Sequence, residues 1–223
     1  MAGQPTSPAS TPPPPHTIEA AAADVIRTLR ARLGGAPHVL VGLSLGGKVV
    51  LDVLKQLHEE QLRHIAVLEA ESEVSQKAKG QQQQQQQQEQ ALGGTGQPSR
   101  ALPLQCWVLD SQPGTVTAEE DGPTSVGRIL SFIAQQPMPV ASRQSLVSAL
   151  EREGLPRSVA WWLGSGLAPA SPAEPAGPLR WAFDARGAAA LYHSYRMSDC
   201  WAALERPPAG VTLHLVRGER SDR

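Results

Sequence analysis

The feature that most constrains the fold is a short apolar run that passes through a glycine-rich turn into a helical pattern. Residues 38–43 (HVLVGL) have the length and apolar character of a buried parallel strand. From Leu45 to about Glu60, apolar residues recur at helical spacing, namely Val49, Val50, Val53, Leu54 and Leu57. A strand that leads directly into a helix is the repeating unit of α/β proteins.

The rest of the chain alternates helix and strand signals in the same way. Apolar spacing predicts further helices over 17–33, 126–135, 142–153, 156–163 and 185–196, and apolar runs predict strands over 105–109 and 211–216. This order predicts an α/β fold with a mostly parallel sheet whose faces are both covered by helices.

Low-complexity segments interrupt this pattern. Residues 1–16 are rich in Pro, Ser, Thr and Ala, which predicts a disordered leader. Residues from about 71 to 101 contain eight consecutive glutamines, Gln81 to Gln88, and then a Gly-rich stretch, so we expect a disordered insertion there. A shorter break falls at the proline-rich residues 168–178. The remainder of 17–223 is predicted to form one domain.

Composition excludes several classes of protein. Twenty Lys and Arg stand against 21 Asp and Glu, which gives a net charge of −1 and does not favour a nucleic-acid-binding protein. No apolar run reaches the length that a bilayer crossing needs, so we expect no membrane span. Two cysteines, Cys106 and Cys200, are too few for a disulfide scaffold or a zinc site. We expect no metal or organic cofactor.

The turn itself reads Gly42-Leu43-Ser44-Leu45-Gly46, the Gly-x-Ser-x-Gly pattern of a nucleophile elbow between a strand and a helix. A serine forced into such a sharp turn adopts a strained backbone, and residues two positions away must be small. Gly42 and Gly46 meet that need. The strain would lift the Ser44 hydroxyl above the sheet, and the Leu45 amide would point to where an oxyanion forms.

Two other interpretations fit the same residues. Gly42, Gly47 and Lys48 nearly match the phosphate-binding loop G-x-x-x-x-G-K, although that loop needs Ser or Thr where this chain has Val49. The strand that ends in Asp110 would then resemble the metal-binding strand of an NTPase. The turn is also compatible with an inert serine among glycines.

Five segments together resemble the α/β-hydrolase superfamily, in particular its small esterases from bacteria, plants and algae. The resembling segments are 41–54 (VGLSLGGKVVLDVL), 107–114 (WVLDSQPG), Trp161-Trp162, 181–187 (WAFDARG) and 215–223 (LVRGERSDR). The resemblance implies an α/β-hydrolase fold and a serine hydrolase that cleaves carboxylic esters or thioesters through an acyl-enzyme.

The resemblance also implies roles for individual residues. Ser44 matches the nucleophile, and the Leu45 N–H matches one donor of the oxyanion hole. Asp110, at the carboxyl end of a strand, matches an acidic position that orients the catalytic histidine in some relatives. Asp184 is a second candidate for that role, although an Asp before a helix commonly caps it. We prefer Asp110, because parallel sheets place their sites at the carboxyl ends of strands.

The family pattern is incomplete in this sequence. Nothing before Thr17 matches the opening strands and the His-Gly oxyanion loop, and no histidine follows the strand at 211–216, so we expect a chain truncated at both ends. The six histidines, which we expect to be surface or packing residues, are His16, His38, His58, His64, His193 and His214. A serine without a base is a poor nucleophile, so we expect weak or absent activity from the chain as written.

The resemblance further implies a helical cap over about 124–206 that covers the serine and shapes an apolar acyl pocket. Its apolar residues recur at helical spacing, namely Ile129, Leu130, Phe132, Ile133, Leu146, Val147, Leu150, Trp161, Trp162 and Leu163. The expected partner is a small acyl ester or thioester. We expect a soluble intracellular protein whose compartment the sequence does not name, and plant and algal relatives are often organellar, which for the intact protein would mean a chloroplast or mitochondrion. The alternative from another class is a non-catalytic, hydrolase-like binding protein.

Overall fold

A computed structural model describes residues 16–79, 100–117 and 125–220, with only the backbone described over 73–79. Most of the predicted leader and the glutamine run lie outside these residues. Seven helices and five strands are described in these three ranges: α1 (Ile18–Leu33), β1 (Val39–Leu43), α2 (Leu45–Lys79), β2 (Gln105–Leu109), α3 (Val126–Gln135), α4 (Arg143–Arg152), α5 (Arg157–Ser165), β3 (Leu167–Pro169), β4 (Leu179–Trp181), α6 (Ala185–Met197), α7 (Trp201–Glu205) and β5 (Thr212–Val216). The chain is therefore a mixed α/β protein, as the sequence predicted.

Strands β1, β2 and β5 form a small parallel sheet in the order β1-β2-β5. Leu43 pairs with Leu109, and Leu109 pairs in turn with Val216. The three strands therefore end together, and the residues that follow them lie at one edge of the sheet.

One face of this sheet carries a hydrophobic core. Leu40 and Cys106 pack against α1 and α2 together with Ile26, Val53 and Leu54. Helix α1 is held at its start by Thr17, whose side chain accepts a hydrogen bond from the Ala20 amide, and it ends at Gly34 with a φ of +74°.

The other face of the sheet differs from the prediction. We expected helices over both faces, but Val39, Val41 and Leu43 are exposed by 45%, 60% and 64%. Every residue of β1 is apolar or Gly, which is typical of a strand buried on both faces, yet only alternate positions are packed within the described ranges.

Helix α2 is longer than predicted. We expected it to end near Glu60, but it continues to Lys79, so residues 71–79 are helical and not part of a disordered insertion. The reason lies in composition, because residues 58–79 are mostly good helix formers with no Gly or Pro. The apolar side chains of this part of the helix, such as Leu62, Val67 and Leu68, are about half exposed. They therefore do not form a buried face from which the sequence could have indicated the helix.

The segment between β2 and β5, which we call the helical insert (125–206), has a second core of its own. Five of the apolar residues that we assigned to an acyl pocket are buried in this core and serve as packing residues, namely Ile133, Leu146, Val147, Leu150 and Leu163. Trp161 and Trp162 are exposed instead.

The sequence analysis also missed the β3–β4 hairpin, since its strands are only three residues long and flank the proline-rich break.

Over the described ranges, no helix combines the length and the apolar character that a bilayer crossing requires.

Candidate active site

The turn between β1 and α2 places Ser44 in a strained conformation. Ser44 has a φ of +53°, in the left-handed region that residues with a side chain rarely adopt. Its amide donates to the Leu109 carbonyl at 2.9 Å, and its own carbonyl accepts from the Gly47 amide at 2.9 Å. The serine is half-buried. These bonds continue the β1–β2 ladder up to the serine and then begin the helix.

The glycines around this turn have unequal roles. A Cβ on Gly42 would lie 2.1 Å from the Gly46 carbonyl oxygen, so Gly42 has no room for a side chain. A Cβ on Gly46 would meet nothing within 4 Å, so the expected steric need for a glycine there is wrong. Gly47 is the second restricted position, since its Cβ would lie 2.5 Å from the Ser111 Cβ.

Leu45 is the first residue of α2. The amide groups of a first helical turn have no acceptor within the helix, and the helix dipole adds positive potential there. No acidic residue lies in the first turn of α2. This end of the helix is therefore suited to stabilise an anion.

Asp110 follows β2 as Ser44 follows β1. It too has a left-handed backbone, with a φ of +44°, and its amide donates to the Val216 carbonyl at 2.7 Å. Because Leu43 and Leu109 are paired, Ser44 and Asp110 lie at neighbouring strand ends. The Oδ1 atom of Asp110 is buried and has no hydrogen-bond partner among the described residues. A buried carboxylate oxygen without a donor is costly, so this oxygen can accept a hydrogen bond from a further group.

Ser111 is the residue that sequence reasoning missed here. It is 6% exposed, it lies against Gly47, and within the described ranges its buried Oγ has no hydrogen-bond partner. Two unsatisfied polar atoms in consecutive residues therefore lie at the strand end beside Ser44. The sequence signal for this residue was the polar pair Asp110-Ser111 directly after a buried strand. We predicted a role for Asp110 only.

The structure places Asp184 elsewhere, at the start of α6. Its side chain accepts from the amides of Arg186 and Gly187 at 3.0 and 2.9 Å, which is a helix N-cap. The Gly187 amide is the main cause that lowers the pKa of Asp184. Its second contact is His16 Nε2 at 3.2 Å. These contacts are those of a capping residue.

Side-chain contacts are described for two of the six histidines, and neither contact is with Ser44 or Asp110. His16 lies against the first turn of α6 and not in a disordered leader, and a Cβ on Gly187 would be 2.5 Å from its Nε2. His214 lies within β5 and stacks on Trp107 with ring centroids 3.9 Å apart. Residues 217–223, which follow β5, contain no histidine.

Lys48 argues against the phosphate-loop interpretation. Its side chain is fully buried, and its ammonium donates to the carbonyls of Gly114, Tyr195 and Ser198 at 2.7, 2.6 and 2.9 Å. The ammonium also lies 4.4 Å from the centre of the Tyr195 ring. An ammonium has three N–H donors, and all three are directed at protein carbonyls rather than at a ligand.

Among the residues with described positions, no three His, Cys, Asp or Glu side chains are arranged to hold a metal ion.

Comparisons of the chain with family models, with curated proteins and with solved structures find no match.

Proposed function

We propose that the chain is a serine hydrolase of the α/β-hydrolase type, in which Ser44 attacks the carbonyl carbon of a carboxylic ester or thioester. The observation that carries the proposal is the strained Ser44 backbone between β1 and α2, next to Asp110 at the neighbouring strand end. The cost of a left-handed non-glycine residue is maintained where function needs the geometry.

In this mechanism the Ser44 oxygen adds to the carbonyl carbon, and the carbonyl oxygen becomes an oxyanion next to the Leu45 amide. The alcohol or thiol then leaves with a proton, and water hydrolyses the acyl-enzyme. Both steps need a base to remove a proton from the attacking oxygen.

Asp110 is the anchor for that base in our proposal. Its unpartnered Oδ1 would accept a hydrogen bond from an imidazole N–H and hold the ring in the correct tautomer. Since His16 lies beside Asp184 and His214 stacks on Trp107, we expect the isolated chain to acylate slowly and to respond to an added base.

The two thiols are weaker nucleophile candidates. Burial raises the pKa of Cys106 to about 11 and also raises the pKa of Cys200, so both thiols stay protonated at neutral pH. Neither follows a strand end.

An apolar acyl group is the proposed specificity. A cavity of about 360 Å³ in the helical insert is lined mainly by apolar side chains, including Ile129, Leu130, Trp162 and Phe183. Comparable turnover of acetyl and medium-chain esters would contradict this part of the proposal.

The test is labelling with a fluorophosphonate probe, which reacts with an activated serine. We expect wild-type protein to be labelled and Ser44→Ala not to be labelled, while the control Ser158→Ala, at an exposed position on α5, labels as wild type does. Added imidazole should accelerate labelling of wild type. In Asp110→Asn the imidazole-dependent rate should fall about tenfold, because a charge-assisted hydrogen bond to the ring is lost.

One outcome of this labelling experiment would contradict the hydrolase proposal. If folded wild-type protein is not labelled at Ser44 even with imidazole, the turn is not a nucleophile elbow, and the non-catalytic binding protein becomes the better interpretation. Circular dichroism of each variant verifies that the fold is retained.

A further inference from the structure

The face of the sheet opposite α1 and α2, which we call the bare face, is formed by alternate residues of all three strands. Paired residues of parallel strands lie on the same face, so the register gives the nine members directly. They are Val39, Val41 and Leu43 of β1, Gln105, Trp107 and Leu109 of β2, and Thr212, His214 and Val216 of β5. Parallel sheets occur almost only with both faces covered, so this face calls for a partner.

Exposed apolar side chains extend across the whole bare face. Val41 is 60% exposed on one outer strand, and Val216 is 43% exposed on the other. On the central strand, the Trp107 ring stacks on His214 with ring centroids 3.9 Å apart, and its indole N–H donates to the Gln105 side-chain oxygen at 3.1 Å. The tryptophan therefore brings no unpaired donor to a contact with another apolar surface.

The bare face also lacks the residues that carry a full charge at neutral pH. Its nine members include no Asp, Glu, Lys or Arg. Two such faces can therefore meet without repulsion between like charges, whereas a charged partner would leave its own charges buried and unpaired. This favours an uncharged apolar surface as the occupant.

Segments of the chain outside the described residues have little apolar surface with which to cover the bare face. These segments are residues 1–15, 80–99, 118–124 and 221–223. Their large apolar residues are Met1 and Leu92. A second copy of the chain, by contrast, presents the same apolar area, so that hydrophobic burial on both sides favours association.

We propose that two copies of the chain pack bare face to bare face about a two-fold axis and form a homodimer. Packed sheets lie about 10 Å apart with their side chains interdigitated, so one contact covers both faces at once. The face measures about 17 by 14 Å, which is small beside the roughly 800 Å² that each partner contributes to a standard interface. We therefore expect a dimer that dissociates on dilution. The proposal does not depend on the hydrolase function, since the face contains neither Ser44 nor Asp110.

The test is sedimentation velocity of the full chain at concentrations from about 1 to 200 µM. Wild type should change from monomer to dimer as the concentration rises. Val41→Glu and Val216→Glu should each weaken the dimer by about 100-fold, because every dimer would then bury two unpaired carboxylates. Val67→Glu, at a 54% exposed position on α2 outside the bare face, should dimerise within about twofold of wild type.

Two results would overturn the proposal. A wild type that stays monomeric over the whole range would show that a second copy does not cover the bare face, and its sedimentation with phosphatidylcholine vesicles would assign the face to a lipid surface. Glu variants that dimerise as Val67→Glu does would place the dimer contact on another surface. Circular dichroism verifies the fold of each variant, and Val216→Glu decides alone if Val41→Glu does not fold.

One further variant separates the dimer from the hydrolase proposal. Ser44→Ala should dimerise as wild type does, so a failure of the hydrolase proposal leaves the dimer intact. A monomeric wild type that is still labelled at Ser44 would overturn the dimer alone.

Discussion

At the scale of single residues, the burial of Asp52 disfavours the charged form of its carboxyl group. It lies on α2 two turns beyond Ser44 and is 8% exposed, and its carboxylate accepts from the Gln56 side chain at 2.6 Å. Desolvation raises the pKa of Asp52 above its ordinary value of 3.8, although the bond from Gln56 acts in the opposite direction. The folded protein therefore holds a proton at Asp52 more tightly than the unfolded chain does.

This linkage predicts the behaviour of Asp52→Asn. As the pH rises through the range just above 3.8, the charged carboxylate becomes more costly in the folded than in the unfolded state, so the free energy of unfolding falls and stays lowered at neutral pH. Asp52→Asn should therefore be more stable than wild type at pH 7, and this advantage should shrink at about pH 3, where the wild-type side chain is protonated in both states.

Urea unfolding at both pH values measures the effect. Glu69→Gln, an exposed position on the same helix, is the control and should change the free energy of unfolding by less than about 0.5 kcal/mol. An Asp52→Asn protein that is less stable than wild type at pH 7 would show that the carboxylate stabilises the fold.

At the scale of elements, the turn between β1 and α2 depends on one glycine more than on the other. Gly42→Ala should destabilise the fold by about 3 kcal/mol, because the new methyl group would overlap the backbone of Gly46. Gly46→Ala should instead stabilise it by about 0.5 kcal/mol, because Gly46 lies inside a helix with free space around it.

Thermal unfolding followed by circular dichroism compares the two variants, and fluorophosphonate labelling follows Ser44. Equal stability of the two alanine variants would contradict the described turn. Gly46→Ala that stays folded but loses labelling would show that Gly46 serves substrate approach rather than the fold.

At the scale of the whole molecule, Lys48 joins two cores that share no buried side chain. It belongs to α2, while the carbonyls that it binds lie after β2 and in or directly after α6. Desolvation lowers the pKa of Lys48, and nearby Cys200 and Asp199 partly oppose that shift. The cost of burying the ammonium is offset by hydrogen bonds between the sheet layer and the helical insert.

Lys48→Met should therefore lower the free energy of unfolding by about 3 kcal/mol, because it leaves three buried or half-buried carbonyls without their donor. Urea unfolding measures this change, and exposed Lys55→Met on the same helix should stay within about 0.5 kcal/mol of wild type. A Lys48→Met protein as stable as wild type would show that the lysine does not hold the layers together.

Much of the fold was predictable because it is encoded locally. The spacing of Val50, Val53, Leu54 and Leu57 indicated α2, and the run at 105–109 indicated β2, since both signals depend only on neighbouring residues. Ser44 and Asp110 were predicted as strand-end residues for the same reason. The end of α2, the β3–β4 hairpin and α7 were not, because their sequences carry weak periodicity or none.

What the sequence by itself determined is therefore the order of helices and strands and the sharp turn at Ser44, since propensity, periodicity and glycine placement act within a few residues. Only the tertiary structure decided that Lys48 binds carbonyls 66 to 150 residues away and that Arg128 and Arg196 line one cavity. Contacts between residues so far apart in the chain are set by how the layers pack, and packing leaves no local pattern in the sequence.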